Sequence, residues 1–482
     1  MRHSNAISWQ LRADLPSRRF SFDPCLCDFL TRGGTHKNVS EITTMNSLTR
    51  RTSFVSRRSS WLAATSAVVL AFATPTFAAD LDIKPTSESW TGVYVGAAVG
   101  AGAGSTTLDA GSGVFELDGI GAEGVLWSAA LGYDYQVNAR WVVGGMLDYT
   151  GSSIETTLGG SITGTGSAGY DLTADHAFSI LGRAGYLTGP DTLVYGLAGY
   201  TRQYYSGGLF VSGLGSTSYE FDTGGLTVGA GIENRIGNNM SVKLEYRYTD
   251  FDDVDIIPTF LGTDTVSHTV RLGLNYKFGM EGGAEPEMSA IAYDWTGFLI
   301  GIEAGLGANV TSFDINAGPL NADFTGLSGE GGTIGLRVGY DHQINDTWVV
   351  GAQFAGRLTN MDVEAELNLG GGAAAAIDEQ YQFALTGRVG YLTTPDTMWY
   401  ALAGYQWSSI DFNVLGATLG SIDREGFVVG AGVETALTEN LSIGLEYRYV
   451  DYNDVDIIGA GVADALTSSH TGMLSLNYKF RP

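Results

Sequence analysis

The chain has 482 residues, a formal net charge of −26 at pH 7, 68 glycines and only 16% charged residues. Soluble domains usually carry about 25% charged residues, and no stretch reaches the roughly 18 apolar residues of a membrane-spanning helix. A membrane protein built from β-strands therefore remains a candidate, whereas so acidic a chain is not expected to bind nucleic acid as a whole.

A secretory signal peptide is predicted near the N-terminus. Four arginines precede an apolar run over 61–72, and small residues follow it. This order is typical of signal peptides, which are removed on export. We expect cleavage beside Ala78 and Ala79, so that 45–78 is the signal peptide and 79–89 a periplasmic leader.

The segment before the signal peptide stands apart from the rest of the chain. Residues 1–44 match neither of the repeats described below, which indicates an over-extended gene start; a genuine leader of unknown role is the alternative. Both cysteines, Cys25 and Cys27, lie in this segment. The exported chain is therefore expected to have no disulfide framework and no thiolate metal site.

The remainder of the chain is a tandem repeat. Glu-Tyr-Arg-Tyr occurs at 245–248 and 446–449, and Asn-Tyr-Lys-Phe at 275–278 and 477–480. A register held over roughly 200 residues is too long for a solenoid unit, so a whole domain was duplicated. The predicted parts are copy one at 90–279, a linker at 280–294 and copy two at 295–482.

Both copies consist of segments that alternate with period two, which indicates β-strands. In 266–278, for example, Val270 and Leu272 fall on one face, while Arg271 and Gly273 fall on the other. Eight strands are predicted in copy one, at 90–102, 124–136, 139–150, 174–187, 192–204, 223–236, 240–252 and 266–278. Eight are predicted in copy two, at 295–307, 332–343, 347–358, 380–392, 397–409, 425–437, 441–453 and 469–480.

The predicted connections alternate between turns of a few residues and long loops. In copy one the long loops are expected at 103–123, 151–173, 205–222 and 253–265. Short periplasmic turns and long external loops are typical of outer-membrane barrels. Glycine is common on the polar face, as the crowded interior of a small barrel requires, so the polar face is predicted to point inward.

Aromatic residues collect near the predicted strand ends, where transmembrane barrels carry girdles at the two membrane interfaces. The residues assigned to these girdles are Trp90, Tyr94, Trp141, Tyr149, Tyr186, Tyr195 and Tyr276.

The last strand of copy one ends in the polar-x-Gly-x-x-apolar-x-aromatic pattern that closes many outer-membrane barrels and that the barrel-insertion machinery reads. Gly273, Tyr276 and Phe278 are its key residues. Copy two keeps Tyr478 and Phe480 but lacks the glycine. Which of the two signals is used stays open.

Together these motifs resemble the porin-family surface antigens of alphaproteobacteria, which are OmpA-like eight-stranded barrels. The resemblance covers about 90–279 and again 295–482. It implies an abundant envelope protein, and some family members are described as porins or as heme-binding or adhesive antigens. The predicted fold is all-β, with two tandem eight-stranded transmembrane antiparallel barrels; one sixteen-stranded barrel is the alternative.

Charged residues on the inward faces form the most informative group. Mixed signs in a narrow lumen should pair, because a lone buried charge is very costly. We expect an ionic plug, with a charged constriction for ion flow as the alternative. The predicted members are Asp148, Arg183, Glu233, Lys243, Glu245, Arg247, Arg271, Glu303, Arg337, Arg357, Arg388, Glu434, Glu446 and Arg448.

Evidence for other chemistry is weak. The acidic loop with Asp250, Asp252 and Asp253 lacks the spacing of a calcium-binding loop, although cations there could bridge lipopolysaccharide phosphates. Of the histidines, only His268 and His470 correspond between copies, and no metal-ligand spacing appears. No nucleophile–base group is evident, so we expect neither an enzyme nor a metal or cofactor.

The predicted function is a structural or surface-interaction role in the Gram-negative outer membrane. A passive pore for ions and small solutes is the first alternative, and a heme-binding or adhesive receptor is the second. The expected partners are outer-membrane lipid, lipopolysaccharide and the barrel-insertion machinery. The sequence identifies no external ligand.

Overall fold

The computed structural model describes residues 89–110, 115–162, 164–237, 239–257, 261–279, 289–317, 320–367, 373–414, 417–456 and 463–480. The predicted signal peptide, its cleavage site at Ala78 and Ala79, and both cysteines lie outside these ranges. Within them, no helix is long and apolar enough to cross a membrane.

The described part of copy one is built from antiparallel strands. They are β1 (Gly92–Ala110), β2 (Phe115–Gln136), β3 (Trp141–Ile162), β4 (Gly166–Gly189), β5 (Thr192–Val211), β6 (Gly215–Arg235), β7 (Met240–Phe251), β8 (Val254–Ile257) and β9 (Leu261–Gly279).

Copy two repeats this order. Its strands are β10 (Gly297–Ala317), β11 (Leu320–Gln343), β12 (Trp348–Thr359), β13 (Asp362–Leu367), β14 (Ala373–Thr394), β15 (Thr397–Val414), β16 (Ala417–Ala436), β17 (Leu441–Tyr452), β18 (Val455–Asp456) and β19 (Ala463–Phe480). The short β8, β13 and β18 continue the strands before them, so the described residues of each copy form eight wall strands.

Each copy closes on itself. In copy one, β1 pairs with β9 over its whole length, from Gly92 opposite Gly279 to Ala110 opposite Leu261. In copy two, β10 pairs with β19 from Phe298 opposite Phe480 onward. The prediction of two eight-stranded barrels is therefore confirmed, and the strands do not form one sixteen-stranded ring.

The strands are much longer than predicted, and the long-loop assignments at 103–123, 151–173, 205–222 and 253–265 were largely wrong. Strand β4 alone has 24 residues, whereas roughly 9–11 tilted residues cross a bilayer. The extra length is rich in glycine, serine and threonine, which the sequence reading took for loops. Backbone pairing continues through it, so the barrel walls rise well above the membrane.

The short turns are fixed by asparagine side chains. The Asn138 side-chain oxygen accepts hydrogen bonds from the backbone N–H groups of Arg140 and Trp141 at 2.9 and 3.0 Å. Asn345 does the same for Thr347 and Trp348, at 2.9 Å each. Such side-chain bonds stabilise a tight reversal and define the periplasmic end of each barrel.

Two groups of outward aromatic residues mark the membrane interfaces. Trp141 packs on Tyr186 at the turn end, with ring centroids 5.4 Å apart. Tyr149 packs on Trp127 and Phe178 about one membrane crossing away, at 5.6 and 5.0 Å. Tyr276 is also outward and exposed, so four of the predicted girdle residues lie on the outer surface.

The girdle assignment was wrong for Trp90, Tyr94 and Tyr195. These three side chains are at most 3% exposed and belong to one buried cluster. Aromatic residues near a strand end can point either way. Strand parity places Tyr94 and Tyr195 inside the barrel, and Trp90, which precedes β1, packs into the same cluster.

The two barrels pack against each other through outward apolar residues. One buried cluster contains residues from both copies, namely Ile232, Leu244, Val270, Trp399, Val433 and Leu445. Beyond the membrane, 157–162 of β3 pairs with 320–325 of β11, which joins the two walls into a continuous sheet.

Polar contacts repeat across this contact face with approximate two-fold symmetry. His268 Nε2 lies 3.4 Å from a Glu330 carboxylate oxygen, and His470 Nε2 lies 2.9 Å from one of Glu123. The other ring nitrogen of each histidine bonds a tyrosine hydroxyl of its own copy. The corresponding histidines therefore serve the contact between barrels.

Candidate functional site in the two barrel lumens

The lumen of copy one is crossed near its periplasmic end by a buried group of four charges. Arg183 Nη2 lies 2.5 Å from Asp134 Oδ2, and its Nη1 lies 2.8 Å from Glu233 Oε2. Lys277 Nζ lies 2.8 Å from Asp134 Oδ2. Two cations and two carboxylates thus balance within one layer.

Copy two contains the same layer with almost the same geometry. Arg388 lies 2.6 Å from Asp341 and 2.8 Å from Glu434, and Lys479 lies 2.8 Å from Asp341. The side chains of both layers are almost completely buried. This conserved geometry shows that the layer predates the divergence of the copies.

Inward aromatic residues pack against this charge layer. The Arg183 guanidinium lies 4.9 and 5.0 Å from the ring centres of Tyr94 and Tyr195, within the range of cation–π contacts. Lys277 Nζ donates to the Trp90 backbone oxygen at 2.7 Å. The rings of Tyr94 and Tyr195 thus lie buried in the lumen beside the charge layer.

A second layer lies farther out in copy one. Asp148 accepts hydrogen bonds from Arg247 and Arg271, both at 3.0 Å. Glu245 lies 2.6 Å from Arg247 and 3.4 Å from Lys243. All five side chains face the lumen and are buried.

The second layer of copy two uses different positions. Glu303 lies 2.5 Å from Arg357 and contacts Arg337 as well. Glu446 contacts Arg448 and lies 3.6 Å from Arg337. The equivalents of Asp148 and Arg271 are absent from this layer, although its chemistry is the same.

Copy two carries a third polar cluster nearer the outside. Arg424 Nη2 lies 2.8 Å from Glu379 Oε1, while Asn309 and Gln382 donate to Glu379 Oε2 at 2.9 and 3.1 Å. Tyr452 hydroxyl lies 3.4 Å from Oε1. This cluster fills the outer part of the second lumen.

The structure brings all fourteen predicted inward charges into buried contacts of this kind. Sequence reasoning missed six further members, namely Asp134, Lys277, Asp341, Lys479, Glu379 and Arg424. Comparison of the two copies could have identified four of them. Asp134 and Asp341 occupy equivalent inward positions, and so do Lys277 and Lys479.

The predicted closing-strand residues lie at the periplasmic rim. Tyr276 and Phe278 face outward with ring centroids 5.1 Å apart, and Tyr478 and Phe480 do the same. A Cβ added at Gly273 would lie 3.0 Å from Lys243 Cε in the lumen. The glycine of the closing pattern therefore leaves room for an inward lysine.

Carboxylates collect outside the membrane where the copies meet. Partial burial, together with the negative charges of Asp253, Asp250 and Glu330, raises the pKa of Asp264 to about 6. Among the described residues, no group of three His, Cys, Asp or Glu side chains could hold a metal ion.

Replacing Asp264 by asparagine should stabilise the protein above pH 6 and leave it unchanged near pH 4. An acid whose pKa is raised on folding binds more protons when folded, so wild-type stability falls as pH rises through about 6. Thermal unfolding of both proteins between pH 4 and 8 measures this. If the melting temperatures of the two proteins changed with pH in parallel, this prediction would be wrong.

Comparison with known proteins agrees with this architecture. The family described as "Outer membrane protein beta-barrel domain" matches residues 64–278 and again 286–480. The 31 kDa outer-membrane immunogenic protein of Brucella melitensis is 32% identical over 234 residues, which cover 43% of this chain and 95% of that protein. The 22 kDa outer membrane protein of Rhizobium leguminosarum is 31% identical over 42% of this chain and 83% of its own.

Several solved structures also match this chain. Ail of Yersinia pestis matches with 16% identity and a TM-score of 0.22, covering 38% of this chain and 99% of its own. The Pseudomonas putida toluene transporter TodX matches with 14% identity and a TM-score of 0.26, covering 84% of this chain and 94% of its own.

Relatives named as outer-membrane proteins and the twofold family match locate this protein in the outer membrane. The chain belongs to the outer membrane protein beta-barrel family and carries two copies of its domain in one polypeptide.

Proposed function

We propose that this protein is a non-conducting, non-enzymatic surface protein whose two sealed barrels hold a tall β-structured platform above the outer membrane. The observation that carries the proposal is that paired, buried charges cross each lumen in at least two layers.

The charge layers argue against the alternative of a passive pore. Separating a buried ion pair leaves an uncompensated charge, which costs about 3–5 kcal/mol. A continuous water path would have to disrupt two such layers and move the rings of Tyr94 and Tyr195. Thermal fluctuation will rarely do this, so the resting barrel should not conduct.

The height of the walls supports the surface role. Strands β2, β3 and β4 have 22, 22 and 24 residues, roughly twice what a bilayer crossing needs. The outer parts of β2 and β3 also pair with strands of copy two, β2 with β11 and β13 and β3 with β11. Such a platform offers a firm surface for recognition outside the lipid.

Two partners follow from this proposal. Lipopolysaccharide would surround the walls where they leave the membrane. The barrel-insertion machinery would read the outward aromatic pairs at Tyr276–Phe278 and Tyr478–Phe480, which lie on the closing strands of both copies.

Planar-bilayer recording tests the proposal. The mature protein should give no conductance steps, whereas a variant with Arg183→Ala, Glu233→Ala, Arg247→Ala and Glu245→Ala should leak. Steady conductance of the wild type, in proportion to the protein added, would establish the pore instead. Alanine substitution of the exposed pair Arg202 and Asp222 is the matched control, and this variant should give no conductance steps.

A further inference from the structure

The outer part of the first lumen contains a cavity of about 520 Å³. Its lining rises from Thr150 and Arg271 to Tyr170 and Leu209 near the outer strand ends, and it is mostly apolar. The volume lies within the 300–1,000 Å³ typical of small-molecule sites. Between Ala177 and Tyr170 the lining follows β4 for roughly 23 Å, at about 3.3 Å per residue, so the cavity is elongated.

The equivalent space in copy two is occupied by the Glu379–Arg424 cluster. Strand pairing places Ala174 opposite Tyr205 in copy one and Glu379 opposite Ile410 in copy two, which makes Ala174 the equivalent of Glu379. By the same comparison Thr223 corresponds to Arg424. Copy one therefore has small side chains at the positions where copy two has the charged pair Glu379 and Arg424.

The smaller side chains occur together at several equivalent positions. Gly104 stands where copy two has Asn309, Ala177 where it has Gln382, and Phe251 where it has Tyr452. All three copy-one residues line the cavity. Loss of polar atoms at so many positions of one cluster makes the site apolar as well as open.

The floor of the cavity has an excess of positive charge. Its layer contains three cationic side chains, Lys243, Arg247 and Arg271, against the two carboxylates of Asp148 and Glu245. Arg271 is buried, lines the cavity, and has no hydrogen-bond acceptor for its Nε among the described residues. The equivalent of Arg271 in copy two is Met473.

We propose that the copy-one cavity binds an elongated amphiphile with one anionic head group. The apolar chain would lie between Leu126, Ile154 and Phe221, which line the walls. The head group would accept a hydrogen bond from the Nε–H of Arg271. Its negative charge would balance the one excess positive charge of the layer. The second copy lacks this site because its plug fills the space and because Met473 replaces the arginine.

A fluorescence titration tests this in the full mature chain reconstituted in phosphatidylcholine nanodiscs. Dansyl-undecanoate should bind saturably to one site per chain, and dodecanoate should displace it. Dodecyltrimethylammonium, which has the same chain and a cationic head, should compete at least roughly tenfold less well, because charge-assisted hydrogen bonds contribute about 1.5–3 kcal/mol.

Two variants separate the head-group contact from the cavity. Arg271→Gln should weaken dodecanoate binding roughly tenfold or more, while Met473→Gln at the equivalent position should not. Ala174→Glu with Thr223→Arg copies the plug of copy two and should abolish binding while the barrel still shifts on gels after heating.

Three results would overturn the proposal. The probe could bind the plugged variant as well as the wild type, which would indicate partition into lipid or an adventitious additive only. The cationic amphiphile could compete as well as dodecanoate. A well-folded Arg271→Gln protein could also keep its full affinity.

Discussion

Arg183→Met should lower the free energy of unfolding by about 3–5 kcal/mol, because it leaves Asp134 and Glu233 facing each other in a buried layer with only Lys277 between them. Arg388→Met should cost a similar amount, since the geometry of its layer is almost the same. Urea unfolding of the protein refolded into lipid vesicles measures both effects.

Two controls make this result specific. Arg202→Met removes an arginine from an exposed pair with Asp222 and should barely change stability, as is usual for surface ion pairs. Arg183→Met combined with Glu233→Gln should cost less than the sum of the single changes, because neighbouring charges in one network couple. Strict additivity would mean that the layer does not act as a unit.

Strand alternation alone could identify most of these layers. Glu245 and Arg247 lie two residues apart on one strand, so both had to share the face that carries glycine, and the structure has them 2.6 Å apart. The sequence could not show which strands meet across the lumen. Contacts such as Arg183 with Glu233 depend on the closure and tilt of the barrel.

The errors in strand length and in the position of Trp90 have a common cause. Periodicity reveals a strand only where its two faces meet different surroundings. In the outer parts of β3 and β4, glycine, serine and threonine residues occur on both faces of the strand, so the sequence does not alternate clearly there. Trp90 precedes β1, where no alternation exists to orient it.

The contacts between the two copies could not be predicted from the sequence. His268 and His470 were recognisable as equivalent residues, but their carboxylate partners, Glu330 and Glu123, come from the opposite copies. Such pairs appear only when two complete barrels are placed side by side. Duplication of one gene supplies both halves of a two-fold contact at once, which explains the approximate symmetry.

The second charge layer also shows where the sequences of the two copies have diverged. In the second layer Asp148 of copy one corresponds to Ala355, whereas Glu303 of copy two corresponds to Ala98. The carboxylate therefore moved from one strand to another while the number of charges stayed the same. A buried cation cannot lose its partner without a large cost, so such a move requires coupled changes.

A fragment of residues 79–279, exported with a signal peptide, should insert as a closed barrel. Strand β1 finds its partner β9 within the same copy, along the entire length of both strands, and both charge layers of copy one are complete without copy two. The expected result is a protease-resistant band that shifts on gels after heating. Its stability should be lower than that of the full protein, because the apolar contact formed by Leu244 and Val270 with copy two is lost.

Cysteine crosslinking in the full chain provides the independent measurement. Val95 and Tyr276 are outward residues directly opposite each other on β1 and β9, so cysteines at these positions should crosslink efficiently. Cysteines at Tyr276 and Ile300, on β9 and β10, should not, because β10 pairs with β19 along this part of the wall. Crosslinking along β9 and β10, together with a fragment that never folds, would show that the copies depend on each other for closure, and the account of two self-sufficient barrels would then be wrong.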